Sequence, residues 1–134
     1  MMIRVLLDKA GQSLRSAEHL MEAALLEGAA NRAYFAMFHA ARASLLSLDP
    51  AGAGRVRKHR SVIAGFGLLV VRPGLVGVHL GRWLNAAEEL RTEADYDPRP
   101  LDDAERVQDA IERARHFLGE VAVLLEHRTT QDAP

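Results

Sequence analysis

Apolar positions along the chain recur at alternating steps of three and four, the spacing of one face of an α-helix. Ile3, Leu7, Ala10, Leu14, Ala17, Met21 and Ala24 trace one such stripe, and Leu6, Leu20 and Leu25 widen it beyond a narrow coiled-coil seam. This predicts a helix over residues 2–26, with Gly28 placed as its C-terminal stop. Ala30, Tyr34, Met37, Ala41, Leu45 and Leu48, flanked by Phe38, form the buried face of a second helix over 29–48. So tight a turn between two long helices implies an antiparallel hairpin.

Beyond it, residues 49–54 (DPAGAG) read as a loop, because Pro and Gly interrupt the pattern. A short helix is expected over 59–71, although Gly65 and Gly67 within it each cost about 1 kcal/mol relative to Ala. A third long helix over 78–93 buries Leu80, Leu84, Ala87 and Leu90 with help from Trp83. Residues 95–100 (DYDPRP) then read as a rigid connection. The last helix is the most regular, with Ala104, Val107, Ile111, Ala114, Leu118, Val121 and Leu125 at strict spacing up to about His127. Asp102 is its expected cap, with Glu105 three residues on completing a variant of the capping box. The predicted fold is all-α: an antiparallel, up-down four-helix bundle with one short extra helix. It spans residues 1–128, and 129–134 form a polar, frayed tail.

Composition supports this reading. Aromatics are only 5% of the 134 residues, so Leu, Ala and Val must fill an interior drawn from 49% hydrophobic content. That favours close helix packing over a sheet, where β-branched and aromatic residues are preferred. The absence of cysteine excludes disulfides, thiolate catalysis and Cys-ligated metals. The N-terminal segment becomes charged at Arg4, too soon for a signal peptide, and no apolar run approaches the roughly 20 residues that span a bilayer. A cytoplasmic protein without a membrane partner is expected. Net charge is −1, so no global field draws nucleic acid. The distribution is uneven: Arg55, Arg57, Lys58 and Arg60 surround His59, whereas eight acidic residues lie between Glu88 and Glu105.

Three stretches carry a family resemblance: Asn31 to Arg42 (NRAYFAMFHAAR), Lys58 to Gly67 (KHRSVIAGFG) and Arg91 to Asp97 (RTEADYD). Together with the helix order, they resemble the HEPN family, in particular its small stand-alone bacterial and archaeal members. The resemblance implies a helical bundle that pairs with itself and a link to nucleotides or RNA. Many such proteins are ribonuclease toxins whose antitoxin is a minimal nucleotidyltransferase. Catalytic members carry Arg, then four to six residues, then His, at the start of the last long helix. Here Arg91 is followed by Asp95 and Tyr96, with no histidine. The phosphate-binding half of the motif stays and the expected acid/base group is missing. Arg32 and His39 match the spacing instead, but within the second helix.

Metal-independent RNA cleavage needs a group that moves protons near neutrality, which suits histidine, and a cation for the phosphate, which suits the planar arginine fork. Arg91, Asp95 and Tyr96 are therefore the candidate catalytic residues; their structural alternative is a tie between the last two helices. Asn31, Arg32, Tyr34, His39 and His59 are the candidate nucleotide- or RNA-binding cleft residues. Against this, Asn31 also reads as a helix cap, Arg32 as a partner of an acid on a neighbouring helix, Tyr34 as core, His39 as packing and His59 as part of a solvated cationic loop. No Glu-x-x-His, P-loop or G-x-G-x-x-G occurs, so neither a metal site nor a cofactor is expected. His19, His79, His116 and His127 form no constellation, and Glu112 with His116 reads as a surface pair. Trp83 and Phe66 read as core or subunit-interface anchors of a homodimer. Three functions follow: a component of a toxin-antitoxin or nucleotide-linked two-gene system with metal-independent ribonuclease activity, a non-catalytic module binding a nucleotide or a partner, or a helical adaptor with no ligand.

Overall fold

The computed structural model describes residues 2–132, with side chains through Arg128. Its helices are α1 (Met2–Glu22), α2 (Leu26–Leu48), α3 (His59–Phe66), α4 (His79–Tyr96) and α5 (Ala104–Asp132), and no strand occurs among the described residues. The all-α expectation therefore holds, as four long helices and one short one. None of the helices is long and apolar enough to cross a membrane.

The organising element is α2, which packs against each of the other four helices. Its pattern makes this workable. Ala29, Ala30, Ala33, Ala36, Ala40, Ala41 and Ala43 are all buried, and side chains this small let neighbouring helices approach from several sides. The predicted face is buried as expected at Tyr34, Met37, Phe38 and Leu45, whereas Leu48 is half-buried. What the stripe concealed is burial around most of the helix, the mark of a central rather than a surface helix.

The turn between α1 and α2 lies earlier than expected. Ala24 adopts a left-handed φ of 59°, Leu25 N donates to Leu20 O at 2.9 Å, and Ala24 N donates to Met21 O at 2.9 Å. That bond pair is the Schellman closure, here with alanine where glycine is usual. Gly28 is not the stop; it lies in the first turn of α2, where a Cβ would meet Leu20 Cδ1 at 3.2 Å. It serves the close approach of the two helices.

After a 3-10 turn at Ala53–Arg55, α3 runs into a π-helical turn, Gly67–Val71, so the predicted 59–71 helix is present but changes its winding halfway. Phe66 stacks on Phe117 with ring centroids 5.2 Å apart, and both are fully buried, which makes Phe66 a core anchor. Helix α4 continues to Tyr96, so Asp95 and Tyr96 lie on the helix rather than in the connection. Arg91 supports this last turn through ion pairs to Glu88 and Asp95, at the (i, i+3) and (i, i+4) helix spacings.

The cap of α5 is Asp103, not Asp102: its Oδ1 accepts Arg106 N at 3.0 Å. Val107, Ile111, Ala114, Phe117, Val121, Leu124 and Leu125 are buried, whereas Ala104 is exposed and Leu118 half-buried. The helix extends past His127 to Asp132, and residues 133–134 of the expected tail lie outside the described residues.

Candidate functional site

Tyr34 on α2 is fully buried, yet its hydroxyl lies 2.6 Å from His59 Nδ1 at the first residue of α3. The imidazole stacks on Phe38 at 4.5 Å and on Tyr34 at 5.5 Å, and meets Phe35 edge-on at 5.5 Å. Three aromatic rings of α2 thus hold a histidine whose side chain keeps 39% exposure. From α4, the Arg91 guanidinium lies 5.1 Å from the centre of the Tyr34 ring and 6.0 Å from that of Phe35. Two residues 32 positions apart in the chain are brought to the same tyrosine.

Carboxylates complete the cluster. Arg91 Nη2 donates to Glu88 Oε1 at 2.8 Å and Nη1 to Asp95 Oδ2 at 3.3 Å. Glu88 Oε2 is buried, has no hydrogen-bond partner among the described residues, and stands 4.0 Å from His59 Nδ1. Asp95 also accepts from Asn31 Nδ2 at 3.4 Å, while Asn31 Oδ1 accepts two bonds from Arg32 at 2.7 and 3.0 Å. The Arg32 guanidinium lies over Phe35 at 4.9 Å. The result is a polar chain, Arg32–Asn31–Asp95–Arg91–Glu88, that ends beside His59 and Tyr34.

The electrostatics follow from burial and from these neighbours. Burial, then the Glu88 carboxylate, pushes the Tyr34 phenol well above its ordinary range, so it stays a neutral hydroxyl. Arg91 is held more firmly charged than usual: burial opposes the charge, but Glu88 and Asp95 outweigh it. His39 is pushed down to about 4 by burial and by the charges of Lys9, Arg42 and Arg32. It is neutral at pH 7, and its ring lies 5.9 Å from Phe35.

Seven of the eight candidate residues, Asn31, Arg32, Tyr34, His39, His59, Arg91 and Asp95, therefore gather about the aromatic face of α2. Tyr96 does not: it is 74% exposed and takes no part in the network. Two participants escaped the sequence reading. Glu88 was legible only as an acid three residues before Arg91. Phe35 was hidden because it lies off the buried stripe, although Arg32, His39, His59 and Arg91 all surround its ring. Outside this face, Arg55, Arg57, Lys58 and Arg60 are exposed around His59, while the acids Glu93 and Asp97 are paired with Arg106 and Arg99.

A second cluster lies on the opposite end of α4. His79, at its first residue, and His116 of α5 both direct Nε2 to Glu120 Oε2, at 2.7 and 2.8 Å. The expected Glu112–His116 pair is thus replaced by His116–Glu120, one turn the other way, and His79 joins it.

A helical domain that sets the Asn31–Arg42 segment against Arg91 and Asp95 defines the class of protein, and comparison with known proteins agrees. Residues 3–124 match the HEPN domain, so the chain belongs to the HEPN family. Among its relatives, a UPF0332 protein of Thermotoga maritima is 33% identical over 118 residues, covering 88% of this chain and 86% of the relative. A UPF0332 protein of Gloeobacter violaceus is 38% identical over 91 residues, covering 68% of this chain and 69% of its own length. A protein of Methanocaldococcus jannaschii, named as a candidate toxin, is 38% identical over 96 residues, covering 70% and 67% of the two chains.

Proposed function

We propose that this chain is the toxin-like component of a two-gene system and cleaves RNA without a metal ion at the aromatic face of α2. The observation that carries the reading is His59 beside Arg91 across Tyr34. The acid/base group missing from the stretch after Arg91 would be supplied from α3 instead. In this scheme His59 takes the proton of a ribose 2′-hydroxyl as the 2′-oxygen bonds to phosphorus. The bond from phosphorus to the 5′-oxygen breaks, the leaving oxygen takes a proton from water, and a 2′,3′-cyclic phosphate remains. Arg91 and Arg32 meet the phosphate, the exposed cations around His59 hold the flanking backbone, and the Phe35 ring offers a base a stacking surface. Asp95 positions Arg91 and Asn31, and Tyr34 positions His59. The toxin names of its relatives support the two-gene reading. With it come a homodimer, a minimal nucleotidyltransferase as antitoxin, and a cytoplasmic setting.

A second reading is favoured by one specific observation. Arg91 is 14% exposed and already bound by Glu88 and Asp95, so an incoming phosphate must displace a carboxylate. On that ground the same face would bind a nucleotide or the partner without cutting RNA. Purified protein incubated in EDTA with a mixed tRNA and messenger RNA pool separates the two, beside His59→Ala and Arg91→Ala. Cleavage that disappears in both variants is the expected result. Cleavage unchanged in both would remove the site from the reaction, and a folded but inactive wild type would turn the assignment to binding.

A further inference from the structure

We infer that His79, His116 and Glu120 bind one divalent transition-metal ion, zinc by preference, at the junction of α4 and α5. The three donor atoms converge: both imidazole Nε2 atoms already point at one carboxylate oxygen, and all three lie within 4.8 Å of one another. Around tetrahedral zinc, with bonds of about 2.0–2.1 Å, neighbouring donors stand about 3.3 Å apart. The two His–Glu contacts need to open by only about half an ångström to admit the ion. Side-chain exposure of 35% at His79 and 56% at His116 leaves both rings room to adjust, so their nitrogens can close toward one another.

The surroundings are those of a built ligand set. Glu120 Oε1 accepts Gly77 N at 3.1 Å, which fixes the carboxylate and leaves Oε2 aimed at the convergence point. A Cβ at Gly77 would meet the His79 ring, so a larger residue there would shift the ring from its present position. Trp83 meets both rings edge-on, at 4.6 Å from His79 and 5.3 Å from His116. His116 and Glu120 are four residues apart on one face of α5, so two ligands come from a rigid element.

Two imidazoles and a carboxylate form a nitrogen-oxygen set suited to zinc, copper or nickel rather than to magnesium or calcium. Three protein ligands leave one tetrahedral position open. His116 and Glu120 also line a cleft of about 600 Å³ with Leu75, Val123, Leu124 and Arg128. The site is separate from the RNA-facing cluster, so the EDTA cleavage assay neither tests nor depends on it.

The test uses untagged full-length protein, stripped with EDTA and dialysed, then titrated calorimetrically with zinc(II) and, separately, magnesium(II). One zinc per chain is expected, with no magnesium binding. His116→Ala and Glu120→Gln should each weaken zinc at least tenfold, while His127→Ala in the same cleft should leave it unchanged. Circular dichroism checks that each variant keeps its helices, and cobalt(II) bound in zinc's place should give the intense visible absorption of a tetrahedral site. No zinc bound by the wild type, affinity unchanged in His116→Ala and Glu120→Gln, or affinity lost in His127→Ala would each overturn the assignment.

Discussion

Tyr34→Phe deletes one atom from the centre of the α2 face. The substitution keeps the ring, with its stacking on His59 at 5.5 Å and the Arg91 guanidinium at 5.1 Å, and removes only the hydroxyl 2.6 Å from His59 Nδ1. No cavity larger than an oxygen atom is left in this fully buried position. A net hydrogen bond contributes about 0.5–1.5 kcal/mol, and water reaches the partly exposed histidine to recover some of it. The expected loss is therefore about 1 kcal/mol. At roughly 2.1 cal/mol/K per residue, a chain of 134 residues unfolds with about 0.28 kcal/mol/K, so Tm should fall by about 3–4 °C. Tyr34→Leu, which also removes the aromatic platform, should cost about 3 kcal/mol or more. Thermal melts followed by circular dichroism at pH 7.5 measure both. If Tyr34→Phe melts within half a degree of the wild type, the hydroxyl does not hold His59. A loss as large as that of Tyr34→Leu would show instead that the ring had been displaced. In the cleavage assay, Tyr34→Phe should lower kcat about tenfold with KM little changed, the signature of a residue that positions the acid/base group.

Ala24→Gly should stabilise the protein by about 0.5–1 kcal/mol, because it relieves the left-handed strain at φ 59° while conceding part of that to unfolded-chain entropy; a rise in Tm of about 2–4 °C checks it. Asp103→Ala should cost about 1 kcal/mol in denaturant unfolding and Asp102→Ala much less, since only Asp103 caps α5; equal costs would contradict the observed cap. His39 is held near 4 in the folded chain against an ordinary 6.5, so the unfolded state binds more protons between those values. Its contribution to stability is complete above pH 6.5 and declines as pH falls toward 4, and His39→Gln should flatten that part of the stability-pH curve relative to the wild type. Glu88→Gln removes a carboxylate from Arg91 and should tighten RNA binding at low salt; filter binding that weakens instead would mean Glu88 holds the arginine in its working position.

The helices and most of their inward faces follow from the order of residues alone. Periodicity is a local property, set by 3.6 residues per turn, so the stripes of α4 and α5 could be read without knowing what they meet. On α1, by contrast, only Leu6, Ala10 and Ala17 of the expected stripe are fully buried, and Ala24 and Leu25 are exposed. The motif stretches likewise marked Asn31, Arg32 and Arg91 as a group. Helix ends were less legible, because Ala24 takes a conformation that composition assigns to glycine, and the neighbouring Asp102 and Asp103 offer the same cap chemistry. The remaining features depend on how the helices pack. It placed His59 against Tyr34 across 25 positions of chain and set His79 against Glu120 across 41. It also left Tyr96 in solvent although its spacing had grouped it with Arg91. A stripe states which side of a helix faces inward, whereas the partner that meets it depends on how distant segments pack, and the packing around α2 is what assembles both clusters.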